Sequence, residues 1–100
     1  MAEVVWLSEA LDDLDAIAEY IAADSPRYAA AVVERFRSAS RDLYQFPRMG
    51  PAVPEWDDDA YRQRIVYSYR LIYRLRGDRV EILAVIHGAR LLPDGLRERQ

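Results

Sequence analysis

The sequence predicts an α+β fold, a helical hairpin packed on one face of an antiparallel β-sheet in the order β-α-α-β-β-β. Three observations carry this. Apolar residues recur at helical spacing through the first half of the chain. They alternate with period two between Tyr61 and His87. A Gly77-Asp78 pair sits between two of the alternating runs, as a two-residue hairpin turn requires. All 100 residues are expected to form one domain.

Glu3 to Leu7 reads as a short strand, Val4 and Trp6 on one side and Val5 and Leu7 on the other, and its two apolar sides suggest an interior place in the sheet. Ser8 fits a helix N-cap, with Glu9, Asp12 and Asp13 favouring the positive end of the helix dipole. Leu11, Leu14, Ile17, Ala18 and Ile21 form one stripe. Asp24-Ser25-Pro26 breaks and restarts the chain, Ser25 as cap and Pro26 at the first helical position. The second stripe is Ala29, Val32, Val33, Phe36, Ala39, Ser40 and Leu43. So short a link predicts an antiparallel pair of helices, and both stripes need a surface to cover.

Pro47, Pro51 and Pro54 fall in a loop of about fourteen residues, long for so small a chain and therefore expected to be functional or partner-bound. Then comes the meander. Tyr69, Leu71, Tyr73 and Leu75 alternate with Arg70, Ile72, Arg74 and Arg76. Pairing across Gly77-Asp78 sets Leu75 opposite Val80, Tyr73 opposite Ile82, Leu71 opposite Ala84 and Arg74 opposite Glu81. A three-residue turn, Val66 to Ser68, is expected to set Arg64 opposite Arg70. These registers put Arg62, Arg64, Arg70, Arg74 and His87 on one solvent-facing side of the sheet, the candidate functional face. Residues 94–100 are polar, expected to be frayed or a single helical turn.

Composition narrows the function classes. With 51% hydrophobic and 31% charged residues the chain reads as an ordinary globular protein. No apolar run approaches the length of a membrane span and the start lacks a signal-peptide pattern, so a cytoplasmic location and no membrane partner are expected. The absence of cysteine excludes disulfides and thiolate metal sites; neither metal nor cofactor is expected. The net charge of −3 is unevenly spread, with residues 1–60 strongly acidic and residues 61–90 carrying seven arginines against two acids. The basic part suits an anionic target or an acidic partner, while the acidic remainder opposes indiscriminate polyanion binding. Every basic residue is arginine, which suits bidentate recognition of phosphate or carboxylate.

Five segments in this order, SEALDDLDAIAEYIA, SPRYAA, FPRMG followed by VPE, YRLIYRL and VEILAVIHGAR, resemble the RelE/ParE superfamily of bacterial toxins over residues 3–92. The resemblance implies a growth-inhibiting toxin of a type II toxin–antitoxin module, held in a hetero-oligomer by its cognate antitoxin. It also implies one of two targets. RelE-like and YoeB-like members cut messenger RNA at the ribosome, whereas ParE-like members inhibit DNA gyrase; a non-toxic antitoxin-binding module is a third reading.

On the nuclease pattern Glu55 stands as the base, Arg64 and Arg70 as the phosphate clamp and His87 as the acid, the set that metal-free cleavage of a ribose phosphodiester needs. Arg62, Arg74 and Arg90 stand as target-binding residues. The terminus His87-Gly88-Ala89-Arg90 resembles ParE-type sequences more than nucleases, and the nuclease lysines are missing, so gyrase inhibition is the favoured expectation. The structural alternative for each is plain: solvated sheet-face arginines, a loop carboxylate, and a histidine bonded to backbone.

Overall fold

The computed structural model describes residues 1–100. Strand β1 (Glu3–Trp6) leads into helices α1 (Ser8–Ala22) and α2 (Pro26–Gln45), and a long loop leads to strands β2 (Tyr61–Val66), β3 (Tyr69–Arg76) and β4 (Arg79–His87). One 3-10 turn, Leu96–Glu98, follows. The sheet order is β1-β4-β3-β2, antiparallel except that β1 runs parallel to β4. The sheet is therefore mixed, and the expected architecture holds with β1 as its additional strand.

β1 lies at the edge, not in the interior. Its two apolar sides have another cause. Val4 and Trp6 pack towards the helices, and Leu7 enters a second core on the opposite face. The N–H of Leu7 still donates to Ile82 at 3.0 Å, so Leu7 stays extended and is itself the N-cap of α1, with Ser8 already helical. The α1 stripe is rotated from the expected one: Ala10 and Leu14 are buried and Leu11 is 45% exposed. Ser25 caps α2 as expected, its Oγ accepting from the N–H of Tyr28 at 3.1 Å, with Pro26 following.

The helices bury Phe36, Val32 and Leu43 against Leu71, Tyr73, Val80 and Ile82. Each such side chain contributes about 1.5–3 kcal/mol by leaving water. The β3–β4 turn behaves as read: Gly77 has φ +63°, and Leu75, Tyr73 and Arg74 face Val80, Ile82 and Glu81.

Two shifts of one residue change the rest. Tyr73 pairs with Ile82 but Ile72 pairs with Ala84, leaving Leu83 as an extra residue in β4. Leu71 therefore faces Val85 rather than Ala84, and Arg70 faces Ile86. The β2–β3 connection has two central residues, not three: Val66 pairs with Tyr69, and Tyr67 sits at φ 54°. Arg64 thus faces Leu71, and Ile65 faces Arg70.

The side of the sheet away from the helices is a second core rather than an open basic face. Val53 from the loop and Leu96 from the tail cover Ile72, Leu83, Ala84 and Ile86, flanked by Trp56, Tyr61 and Leu92. The loop runs beside β2, Gln63 donating to Pro51 and Val53 to Tyr61, each at 2.9 Å. The tail is fixed rather than frayed: Leu96 is 2% exposed. Arg99 donates to Asp13 at 2.8 Å and to the Leu83 carbonyl at 2.9 Å. No helix is long and apolar enough to cross a membrane.

Candidate functional site

The expected shared face of Arg62, Arg64, Arg70, Arg74 and His87 does not form. Alternation in β3 does put Arg70 and Arg74 on the side away from the helices. The two-residue turn at Tyr67 moves Arg62 and Arg64 to the helix side, and the bulge at Leu83 moves His87 there too.

Arg70 is 7% exposed, and each of its three guanidinium nitrogens donates one hydrogen bond. Nε donates to Gln63 at 2.8 Å, and the two terminal nitrogens donate to both carboxylate oxygens of Glu55 at 2.6 and 2.7 Å. This two-bond geometry is the strong form of an Arg–carboxylate pair. The Arg70 hydrogen bonds hold the Glu55 carboxyl below its ordinary pKa, against a smaller opposing effect of burial. The partners of Arg70 across the neighbouring strands are Ile65 and Ile86, and neither Arg64 nor His87 shares its side of the sheet.

Arg64 reaches α2 instead, donating to the Ala39 carbonyl at 3.0 Å and to Asp42 at 2.9 Å. Arg62 clamps the loop: Nε donates to the Gly50 carbonyl at 2.7 Å and a terminal nitrogen to the Asp59 carboxylate at 2.7 Å. Gly50 is needed there, because a Cβ would lie 2.1 Å from the Gln63 carbonyl oxygen. Its N–H donates to the buried Tyr73 hydroxyl at 3.2 Å. Burial raises the pKa of that phenol above its ordinary value, keeping it neutral. Arg74 is paired with Glu81 at 2.7 Å, and both are buried.

His87 is exposed, its ring edge-on to Tyr69 at 5.5 Å. Nδ1 accepts from the N–H of Ala89 at 3.1 Å, so the neutral ring carries its proton on Nε2. Arg90 is exposed just beyond β4. The structure thus joins Glu55 to Arg70 and Arg74 to Glu81, and separates Arg64 and His87 from Arg70. Sequence reasoning missed Gln63, Asp42, Asp13 and Arg99. Only Gln63, a polar residue inside an alternating strand run, carried a signal; Asp13 and Asp42 sit in helices and Arg99 in the tail, where no pattern marks them.

The comparisons with known proteins bear on this scaffold. A family described as "ParE toxin of type II toxin-antitoxin system, parDE" matches residues 4–92. The chain belongs to the ParE toxin family. This ParE-family chain is 34% identical over 92 residues to Toxin RelE2 of Caulobacter vibrioides, covering 91% of this chain and all of that one. Its fold is that of a solved chain of the chromosomal ParDE TA system from P. aeruginosa, with a TM-score of 0.72 at 23% identity. That match covers 87% of this chain and 96% of the other. The chain is thus a type II toxin–antitoxin toxin of the RelE/ParE superfamily, with an antitoxin as the partner the family implies.

Proposed function

We propose that this toxin halts growth by binding and inhibiting DNA gyrase, without hydrolytic chemistry of its own. The observation that carries the reading is the closed Arg70–Glu55 fork. A nuclease needs a free base and a phosphate clamp on one side of the scissile bond with an acid opposite. Here the candidate base neutralises the candidate clamp. The depressed pKa makes Glu55 a weak proton acceptor, and the candidate acid His87 lies on the other side of the sheet. Arg62, Arg64 and Arg74 are likewise held by protein acceptors. Arg90, exposed and in the His87-Gly88-Ala89-Arg90 segment, is then the residue best placed to meet the target.

The second reading, ribosome-dependent cleavage of messenger RNA, draws support from the RelE2 name of the Caulobacter relative. It requires Glu55 to leave Arg70 when RNA binds. Either target places the protein in the cytoplasm as a single toxin domain.

The cognate antitoxin is proposed to seat in the open groove of about 440 Å³ lined by Val4, Trp6, Ser40, Arg41 and Tyr44. There the unpaired side of the edge strand β1 offers backbone bonds beside apolar side chains.

The deciding experiment runs the purified chain in a gyrase supercoiling assay beside a translation-coupled cleavage assay. Supercoiling stopped with messenger intact, and restored by antitoxin, is the expected result. Messenger cut only when ribosomes are present, and lost in Arg70→Ala, replaces this reading with the nuclease. Antitoxin binding with neither effect identifies a module without toxicity.

A further inference from the structure

One cluster of arginines at the far end of the β3–β4 hairpin is not used by the toxin reading. Three guanidinium groups converge there on a single carboxylate. Glu81, 5% exposed, lies 2.7 Å from Arg74, 3.6 Å from Arg76 and 3.9 Å from Arg79. Arg74 takes the hydrogen bonds, donating through Nε at 2.8 Å as well, and its terminal nitrogens also reach the carbonyls of Arg97 and Arg99 at 3.3 Å. Arg76 and Arg79 stand beyond hydrogen-bond range of Glu81, with side chains 61% and 46% exposed.

Other acids only partly answer these charges. Arg79 approaches Glu3 at 3.3 Å, where Glu3 is 69% exposed, and Arg97 pairs with Asp58 at 3.2 Å across a half-exposed contact. Such solvated pairs are weak and exchange readily.

Arg74, Arg76, Arg79 and Arg97 line one open cavity of about 510 Å³, whose only acidic side chains are Glu81 and Glu98. Arg74, Arg76 and Arg79 share one buried carboxylate, and the acids that answer the remaining charge, Glu3 and Asp58, do so only through solvated pairs at the rim. Like charges held this close repel, and an anion between them removes the repulsion. The guanidinium groups come from the end of β3, the start of β4 and the tail, three different directions. That arrangement suits the tetrahedrally disposed oxygens of a phosphate better than one planar carboxylate.

We propose that this cavity is an anion site that takes the phosphate group of a nucleotide or of a nucleic-acid backbone. Arg76, Arg79 and Arg97 make the contacts, and the buried Arg74–Glu81 pair is the floor that positions them. The site is separate from the Arg70–Glu55 fork and stands whether the target is gyrase or messenger RNA.

The test titrates the full chain with inorganic phosphate, with ATP and with a short DNA duplex, reading arginine side-chain N–H resonances by NMR. Saturable shifts at Arg76, Arg79 and Arg97 are expected. In Arg76→Gln/Arg79→Gln the affinity falls by roughly tenfold or more, about 1.4 kcal/mol, while circular dichroism shows the chain still folded, because Arg74 keeps its hydrogen bonds to Glu81. Saturation by phosphate and ATP without tighter duplex binding identifies a nucleotide as the source. Tighter, salt-dependent duplex binding identifies a nucleic-acid backbone. Non-saturating shifts, equal affinity in the double variant, or tighter binding of a glutamate-rich peptide than of any phosphate ligand overturns the proposal.

Discussion

The guanidinium of Arg70 and the carboxylate of Glu55 close a two-bond fork across the gap between a strand and a loop fifteen residues away in sequence. Arg70 is nearly buried there, 8% exposed at its side chain, while Glu55 keeps 43% of its own exposure. The fork ties the long loop to the sheet.

Removing the acid should therefore cost stability in a limited amount. A hydrogen bond to a charged group contributes about 1.5–3 kcal/mol, and water reaching the half-exposed Glu55 position replaces part of that. Glu55→Ala is expected to lower the unfolding free energy by about 1–2 kcal/mol in urea titrations. A loss within error of zero contradicts a structural role for the pair.

The same fork predicts a pH dependence. Arg70 depresses the folded-state pKa of Glu55 below its ordinary value of 4.5, so the folded protein holds the charged form more tightly than the unfolded chain does. That stability is fully present above pH 4.5 and is lost as pH falls through the depressed value. Glu55→Gln removes this increment, so the gap between wild type and variant should shrink as pH drops below 4.5. Unfolding curves that stay a constant distance apart on acidification contradict it.

Gly50 and Tyr73 give a sharper case. Gly50→Ala drives a Cβ into the Gln63 carbonyl, 2.1 Å away, and should unseat the loop at a cost of about 3 kcal/mol or more. Tyr73→Phe keeps the buried ring but leaves the Gly50 N–H without its acceptor, for about 1–2 kcal/mol. Hydrogen exchange at the Gly50 amide should rise in both variants. An unchanged rate in Tyr73→Phe rules out the hydroxyl as its partner.

These elements differ in how far they can be read in the sequence. The second helix, the Ser25-Pro26 restart and the Gly77 turn follow from local chemistry and appear where their residues predict, while the first helix begins one residue early because Leu7 is held extended beside β4. The candidate face failed for a different reason. In a strand each side-chain row is fixed by parity, so one inserted residue exchanges the rows. Leu83 lies within an unbroken apolar run and gives no sign of a bulge, and Tyr67 is not a residue whose type announces a positive φ. These two positions moved Arg62, Arg64 and His87 across the sheet while Arg70 and Arg74 stayed. The loop's length did signal a role, but its apolar anchors Val53 and Trp56, and Leu96 in the tail, are too isolated to show any period.

Tyr67 holds a backbone conformation that glycine adopts at little steric cost, and 53% of its surface stays exposed. Its ring meets that of Tyr28 in a tilted contact with centroids 6.3 Å apart, which acts against the strain. Tyr67→Gly is expected to leave stability unchanged or raise it by up to about 1 kcal/mol. A loss above about 1 kcal/mol shows instead that the Tyr28 contact outweighs the strain.

The last expectation concerns asymmetry within the Arg74–Glu81 pair. Breaking a buried pair ordinarily costs about 3–5 kcal/mol, because one uncompensated charge is left behind. Here the two halves are not equivalent. Without Arg74, Glu81 still has Arg76 at 3.6 Å and Arg79 at 3.9 Å, both largely solvated side chains able to close in, Arg79 by leaving its exposed contact with Glu3. Without Glu81, Arg74 is a buried cation beside two others, and its remaining bonds are to the carbonyls of Arg97 and Arg99. Glu81→Gln should thus cost about 3–5 kcal/mol and Arg74→Met about 1–3 kcal/mol. A double-mutant cycle completed with Arg74→Met/Glu81→Gln separates the pair from its neighbours. Equal costs, or a larger one for Arg74→Met, contradict the view that Arg76 and Arg79 share the Glu81 charge.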